Sequence, residues 1–203
     1  YFQNQIWIEG IRIDHIFRRQ KIASSLIKHA ESIGREKHIS FSYMLIDTEN
    51  SSSLSMAKSL DYEIFQTWNF YSLLPHSNSN YTITFEKFLD PKKHSQFVKS
   101  WRWIPFDSHT LSTFYEKNQI LKSDVDGNVS TAILTDSEHF DKTLIVTLFS
   151  DSHDSTLQII SFLQNHAIEK NYERIQILSK EKLPTFNSLE HKITFYLMKK
   201  SLD

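Results

Sequence analysis

The chain has 203 residues, of which 39% are hydrophobic and 13% aromatic, with a formal net charge of −1 and no cysteine. That apolar content suffices for a sizeable core and excludes global disorder. The near-neutral charge argues against nucleic acid as the main partner, because phosphate-backbone binding shows as a basic excess. The lack of cysteine excludes disulfides, thiolate metal sites and a cysteine nucleophile.

Tyr1-Phe2-Gln3 matches the end of a protease-cleavable tag, or is the tail of a strand that enters Asn4-Gln5-Ile6. Residues 5–14 read as a strand, with β-branched Ile6, Ile8, Ile11 and Ile13; the alternation slips at Gly10, which suggests a bulge. The period turns helical over 19–37, where Ile22, Ala23, Leu26, Ile27, Ala30 and Ile33 share a face. Residues 39–47 form an apolar strand, 48–60 a capped helix and 62–74 a long aromatic strand, giving β-α-β-α-β. The polar connector 75–80 contains Pro75 and is the expected domain boundary.

Beyond it, the pattern predicts a strand over 81–89, a helix near 91–99 and a helix over 107–118. Three strands follow at about 119–124, 128–135 and 142–150, the first two joined by an Asp126-Gly127 hairpin turn. A helix over about 154–170 and strands at 174–179 and 192–200, around a short helical or irregular piece, close the chain. No apolar run approaches the roughly 20 residues of a membrane span and no signal peptide is visible, so a soluble cytoplasmic protein is expected. The ten histidines make no helical His-x-x-x-His pair, and Asp151 and Asp154 read as helix-cap residues; no metal site is expected.

The segment Phe17 to Leu26, FRRQKIASSL, sets Arg18, Arg19 and Lys21 directly before a helix. The positive end of the helix dipole disfavours cations there. An anion relieves the repulsion and accepts the free first-turn N–H groups, and a diphosphate suits that need.

The stretch from Trp7 to Glu31 resembles the coenzyme-A-binding segment of the GNAT superfamily of N-acetyltransferases, whose pattern is Arg/Gln-x-x-Gly-x-Gly/Ala between a strand and a helix. Arg18, Lys21 and Ala23 stand at the three pattern positions. Residues 49–71 resemble the family's Asn-x-x-Ser segment, with Asn50 and Ser53 matching. Lys21 replaces the loop glycine, Ala57 stands where many members carry a tyrosine, and Asp61 where they carry glycine.

The resemblance implies an α+β fold, a mixed and mostly antiparallel twisted sheet flanked by helices. It also implies a cofactor surface made by Ile11, Arg12, Ile13, Arg18, Arg19, Gln20, Lys21, Ile22, Ala23, Ser24, Asn50 and Ser53. The activity it implies is direct transfer of an acetyl group from acetyl-CoA to an amine. Glu9 is the expected base; Tyr71 or Tyr62 is the expected acid in place of the missing tyrosine. Plain structural readings stand beside these: Glu9 as a surface carboxylate or partner of Arg12, Asn50 as a helix cap, Tyr62 and Tyr71 as core aromatics.

Residues 1–77 are expected to be the later part of a GNAT domain truncated at its N-terminus. Residues 78–203 follow the family's element order from its first strand, and are expected to be a second GNAT-like domain without a phosphate site. The partners implied are acetyl-CoA and an amine acceptor, without nucleic acid or membrane, and a homodimer is compatible with this. The competing reading is a weakly active or inactive relative that binds coenzyme A or a protein partner through the same fold.

Overall fold

A computed structural model describes residues 4–90 and 94–203. The readings of Tyr1 to Gln3, and of Pro91 to Lys93 in the helix expected near 91–99, lie outside the described residues. In chain order the elements are β1 (Gln5–Trp7), a 3₁₀ turn (His15–Phe17), α1 (Ile22–Glu36), β2 (Phe41–Asp47), α2 (Ser51–Ser59), β3 (Glu63–Leu73), β4 (Thr84–Phe85), β5 (Gln96–Lys99), β6 (Arg102–Pro105), α3 (Ser108–Glu116), β7 (Ile120–Val125), β8 (Asn128–Asp136), β9 (Thr143–Phe149), α4 (His153–Glu169), β10 (Arg174–Ser179) and β11 (Leu189–Ser201). The chain divides into two compact units, one holding the residues up to Trp68 with Thr194–Asp203, the other Asn69–Ile193. No helix among the described residues is long and apolar enough to cross a membrane.

In the first unit the strands run in the order β1-β2-β11-β3. β1 lies parallel to β2, with Gln5, Ile6 and Trp7 opposite Phe41, Ser42 and Tyr43. The C-terminal end of β11 pairs antiparallel with all of β2, from Phe195 opposite Asp47 to Ser201 opposite Phe41. α1 and α2 bring Ile27 and Ala57 against Met44, Ile46, Leu60, Tyr62 and Met198 to form the core. Leu26, expected on the buried face of α1, is instead 51% exposed, because one residue turns the helix about 100° away from Ile27.

Under α1 lies a buried ionic cluster. The Glu31 carboxylate is 1% exposed. It accepts from Lys200 Nζ at 2.9 Å and from the Tyr62 hydroxyl at 3.0 Å, with an Arg35 guanidinium nitrogen at 3.6 Å. Tyr62 also shares a 2.5 Å hydrogen bond with Ser42. The cluster therefore ties α1, β2 and β11 to the residue that precedes β3.

The second unit orders its strands β3-β10-β9-β8-β7-β4, using the last residues of β3. β9 and β10 are parallel over six rungs, Thr143 opposite Arg174 to Leu148 opposite Ser179, and α4 is the crossover between them. Strand, helix and parallel strand thus recur in both units, as β1-α1-β2 and β9-α4-β10. α4 buries Ile159, Ile160, Leu163 and Ala167 against Leu144, Val146, Ile175 and Ile177. Asp126 and Gly127 take φ of 53° and 82°, the left-handed pair that a tight hairpin requires.

Three expectations are corrected. The strand expected over 5–14 ends at Trp7, because Gly10 turns the chain with φ 70°. The strand expected over 81–89 is only Thr84–Phe85. There the Thr82 N–H goes to the Gln158 side chain and the Leu89 N–H to the Tyr115 hydroxyl instead of to a ladder. The helix expected near 91–99 is, over Gln96–Lys99, the strand β5, which turns at Ser100 and Trp101 into β6. Glu138 N–H to Ser100 Oγ at 3.0 Å and Trp101 Nε1 to Gln176 at 3.1 Å hold that glycine-free turn.

Candidate functional site

The first unit contains a cleft of about 910 Å³, the size range of cofactor and substrate sites. It opens where β1 and β2 part. The ladder makes one further bond, from the Ile8 N–H to the Tyr43 carbonyl at 2.9 Å, and then stops at Gly10. Backbone groups alternate sides along a strand, so Leu45, two residues beyond Tyr43, turns its peptide groups toward the gap. Residues 8–13 form one wall, Met44, Leu45 and Ile46 the second, and the starts of α1 and α2 the third.

The loop into α1 carries the charge. Arg12, Arg18, Arg19 and Lys21 all line the cleft and are exposed, and among the described residues Glu9 is the only carboxylate on the wall. Arg18 Nε donates to the Ile13 carbonyl at 3.2 Å, which fastens the loop to the opposite wall. Arg19 and Lys21 take left-handed φ of 64° and 60°. Lys21 is the N-cap of α1 and makes no side-chain cap bond, so the Ile22, Ala23 and Ser24 N–H groups point out of the helix end. All three residues line the cleft.

Lys21 thus retains the conformation that suits a glycine. The left-handed backbone costs a lysine about 1 kcal/mol. Lys21→Gly should therefore raise the melting temperature by about 2–4 °C, measured by differential scanning fluorimetry; a fall would show that the lysine side chain itself supports the loop.

Of the residues expected at the site, Glu9, Ile11, Arg12, Ile13, Arg18, Arg19, Lys21, Ile22, Ala23, Ser24 and Ser53 meet on one cleft. Gln20 lies in the same loop, off the cleft wall, its side chain reaching the Ile16 carbonyl at 3.4 Å. Asn50 caps α2, its Oδ1 accepting from Ser53 N–H and Ser52 Oγ, each at 3.0 Å. Tyr62 is 2% exposed with its hydroxyl engaged by Ser42 and Glu31, and burial pushes its phenol far above the ordinary range. Tyr71 belongs to the second unit, where its buried hydroxyl accepts from the Leu183 N–H at 3.0 Å. Neither tyrosine lines the cleft.

Phe17, Met44, Leu45, Ile46, Ser52 and Met56 line the cleft without having been expected there. The parting of β1 from β2 brings them in, and a strand pattern carries no sign of where a ladder ends. Ala57, at the family's tyrosine position, is fully buried in the core.

The corresponding junction in the second unit is closed. Its parallel pair runs on through Ser179 without parting. At the start of α4, Ser152 Oγ accepts from the Ser155 N–H at 3.3 Å, and Asp151 accepts from the Val129 N–H at 2.8 Å. Ser130 bonds Ser155 and Thr156 at 2.7 and 3.0 Å, so hydroxyls of the chain itself occupy this helix end.

Residues 1–62 match the model of the acetyltransferase (GNAT) family. The fold is similar to that of a GCN5-related N-acetyltransferase from Sphaerobacter thermophilus, with a TM-score of 0.58, 10% identity, and coverage of 93% of this chain and 70% of that one. It is also similar to a tandem GNAT protein from the clavulanic acid biosynthesis pathway, with a TM-score of 0.50, 8% identity, and coverage of 98% and 76%. No curated protein sequence matches the chain.

Proposed function

We propose that the first unit binds acetyl-CoA in the cleft and transfers its acetyl group directly to an amine. The observation that carries this reading is the junction of four cleft cations with the unpaired first-turn N–H groups of α1, at the point where the strands part. The Ile22 to Ser24 N–H groups hold the diphosphate, and Arg18, Arg19 and Lys21 neutralise it. Peptide groups of Ile11 to Ile13 pair with the pantetheine amides. The bound thioester supplies the acyl group: the amine nitrogen bonds to its carbonyl carbon as the carbon–sulfur bond breaks, and the proton that the acylated nitrogen sheds passes to the leaving thiolate.

Glu9 takes the ammonium proton that the amine must lose before it attacks. The Leu45 N–H, turned into the gap, polarises the carbonyl oxygen. The Ser53 hydroxyl, at the positive end of α2, donates a hydrogen bond to the leaving thiolate. The second unit is a GNAT-like copy whose phosphate site is filled by its own hydroxyls and carboxylate. It has a structural role.

Thiol release from acetyl-CoA across a panel of primary amines tests the reading, and turnover with at least one amine is expected. Glu9→Gln should lower kcat by about a hundredfold or more at neutral pH while coenzyme A affinity is unchanged; an unchanged kcat would remove Glu9 as the base. Buried Ala57 at the tyrosine position favours a second reading, a relative that binds coenzyme A without turnover. Binding with no thiol release for any amine would support it.

A further inference from the structure

We infer that Phe17 is the platform on which the adenine base of the donor rests. This rests on the diphosphate reading of the cleft.

Among the described residues Phe17 is the only aromatic side chain on the cleft wall. It is 51% exposed, and Ile16 beside it is 61% exposed. Among the described residues no other ring stacks on it. Its backbone is nevertheless fixed. The Phe17 N–H donates to the Asp14 carbonyl at 3.0 Å, Asp14 Oδ1 accepts from the Ile16 N–H at 3.2 Å, and Arg18 Nε holds the Ile13 carbonyl at 3.2 Å. A large apolar ring is thus held in water next to Arg18.

The geometry of a bound dinucleotide-like donor assigns it a use. With the diphosphate on the N–H groups of Ile22 to Ser24, the pantetheine end runs inward between residues 11–13 and Met44 to Ile46. The nucleoside is attached to the other phosphate and must leave toward the mouth, where the loop 17–21 forms the wall. A purine laid on Phe17 covers that ring, and the neighbouring cations keep the 3′-phosphate of coenzyme A close to opposite charge. A phosphopantetheine arm has no base to lay there.

Titration of coenzyme A and of 4′-phosphopantetheine against the unaltered protein, Phe17→Ala and Phe17→Trp, at one ionic strength, tests the assignment. Base–aromatic stacking predicts that Phe17→Ala weakens coenzyme A about tenfold, leaves 4′-phosphopantetheine unchanged, and that Phe17→Trp restores coenzyme A. Equal losses for both ligands, or none for either, would overturn the platform while leaving the diphosphate site standing. Failure of the unaltered protein to bind either ligand would overturn the reading beneath it and this inference together. Because Phe17 is half exposed, unchanged melting temperatures are expected for both variants and accompany the titrations.

Discussion

Replacing Arg18, Arg19 and Lys21 together by glutamine will weaken coenzyme A binding by at least about a hundredfold. A hydrogen bond between a charged group and its partner contributes about 1.5–3 kcal/mol. All three side chains are exposed, so screening by salt and solvent puts each contact near the lower end of that range. Two such contacts already exceed a factor of one hundred. Repulsion among the cations in the free protein works the other way, so the variant should fold at least as well. Raising ionic strength should weaken the unaltered protein and leave the variant nearly flat. Lys28→Gln, an exposed cation on α1 away from the cleft, is the control and should change neither quantity. Isothermal titration at two salt concentrations reads all of this. A loss common to Lys28→Gln and the triple variant would mean that the cations act through net charge and not through the cleft.

Glu31→Ala should cost the first unit about 3–5 kcal/mol, the range for breaking a buried ion pair by removing one partner. That is a large share of the roughly 5–15 kcal/mol that holds a domain together. The change strands Lys200, whose side chain is 13% exposed, and leaves the Tyr62 hydroxyl with Ser42 alone. It also loosens α1, whose first turn offers the N–H groups of the cleft. Amide hydrogen exchange resolves the effect unit by unit, which a global melt does not. Protection should collapse in α1, β2 and the end of β11 and persist in β9, α4 and β10. Replacing Glu31 by Leu and Lys200 by Met together should recover much of the loss, since the paired removal leaves no charge buried. A Glu31→Ala variant with undiminished protection in α1 would show that apolar packing around Ile27 and Met198 carries the unit without the ionic cluster.

The parts of the fold legible in the sequence are those whose signals are local. The apolar stripe through Ile22, Ile27 and Ile33 marks α1, and the Asp126-Gly127 pair marks the β7–β8 turn because its left-handed φ values need such residues. The hairpin of β5 and β6 was not legible: Ser100 and Trp101 make its turn, and side-chain bonds from elsewhere hold them in conformations that neither residue advertises. The end of β1 was hidden for a related reason. Ile11 and Ile13 continue the β-branched pattern after the strand has lost its partner, and only Gly10 hints at the change.

Much the same holds for the site. Arg18, Arg19 and Lys21 stand out because like charges at a helix start oppose the dipole. Met44, Leu45 and Ile46 read as ordinary buried-strand residues, since their place on the cleft depends on where a neighbouring strand stops. Tyr62 looked available from its spacing alone. Its burial against Glu31 and Ser42 follows from a helix face and a strand that are distant in sequence.

The central claim is that the parted strands and the basic start of α1 form a coenzyme A site. Calorimetric titration of the chain with coenzyme A tests it most directly. Saturable binding at one site per chain is expected, abolished or reduced at least about a hundredfold when Arg18, Arg19 and Lys21 are replaced by glutamine. Absence of heat and of any thermal shift at millimolar ligand would contradict it, as would binding that the triple replacement leaves undiminished.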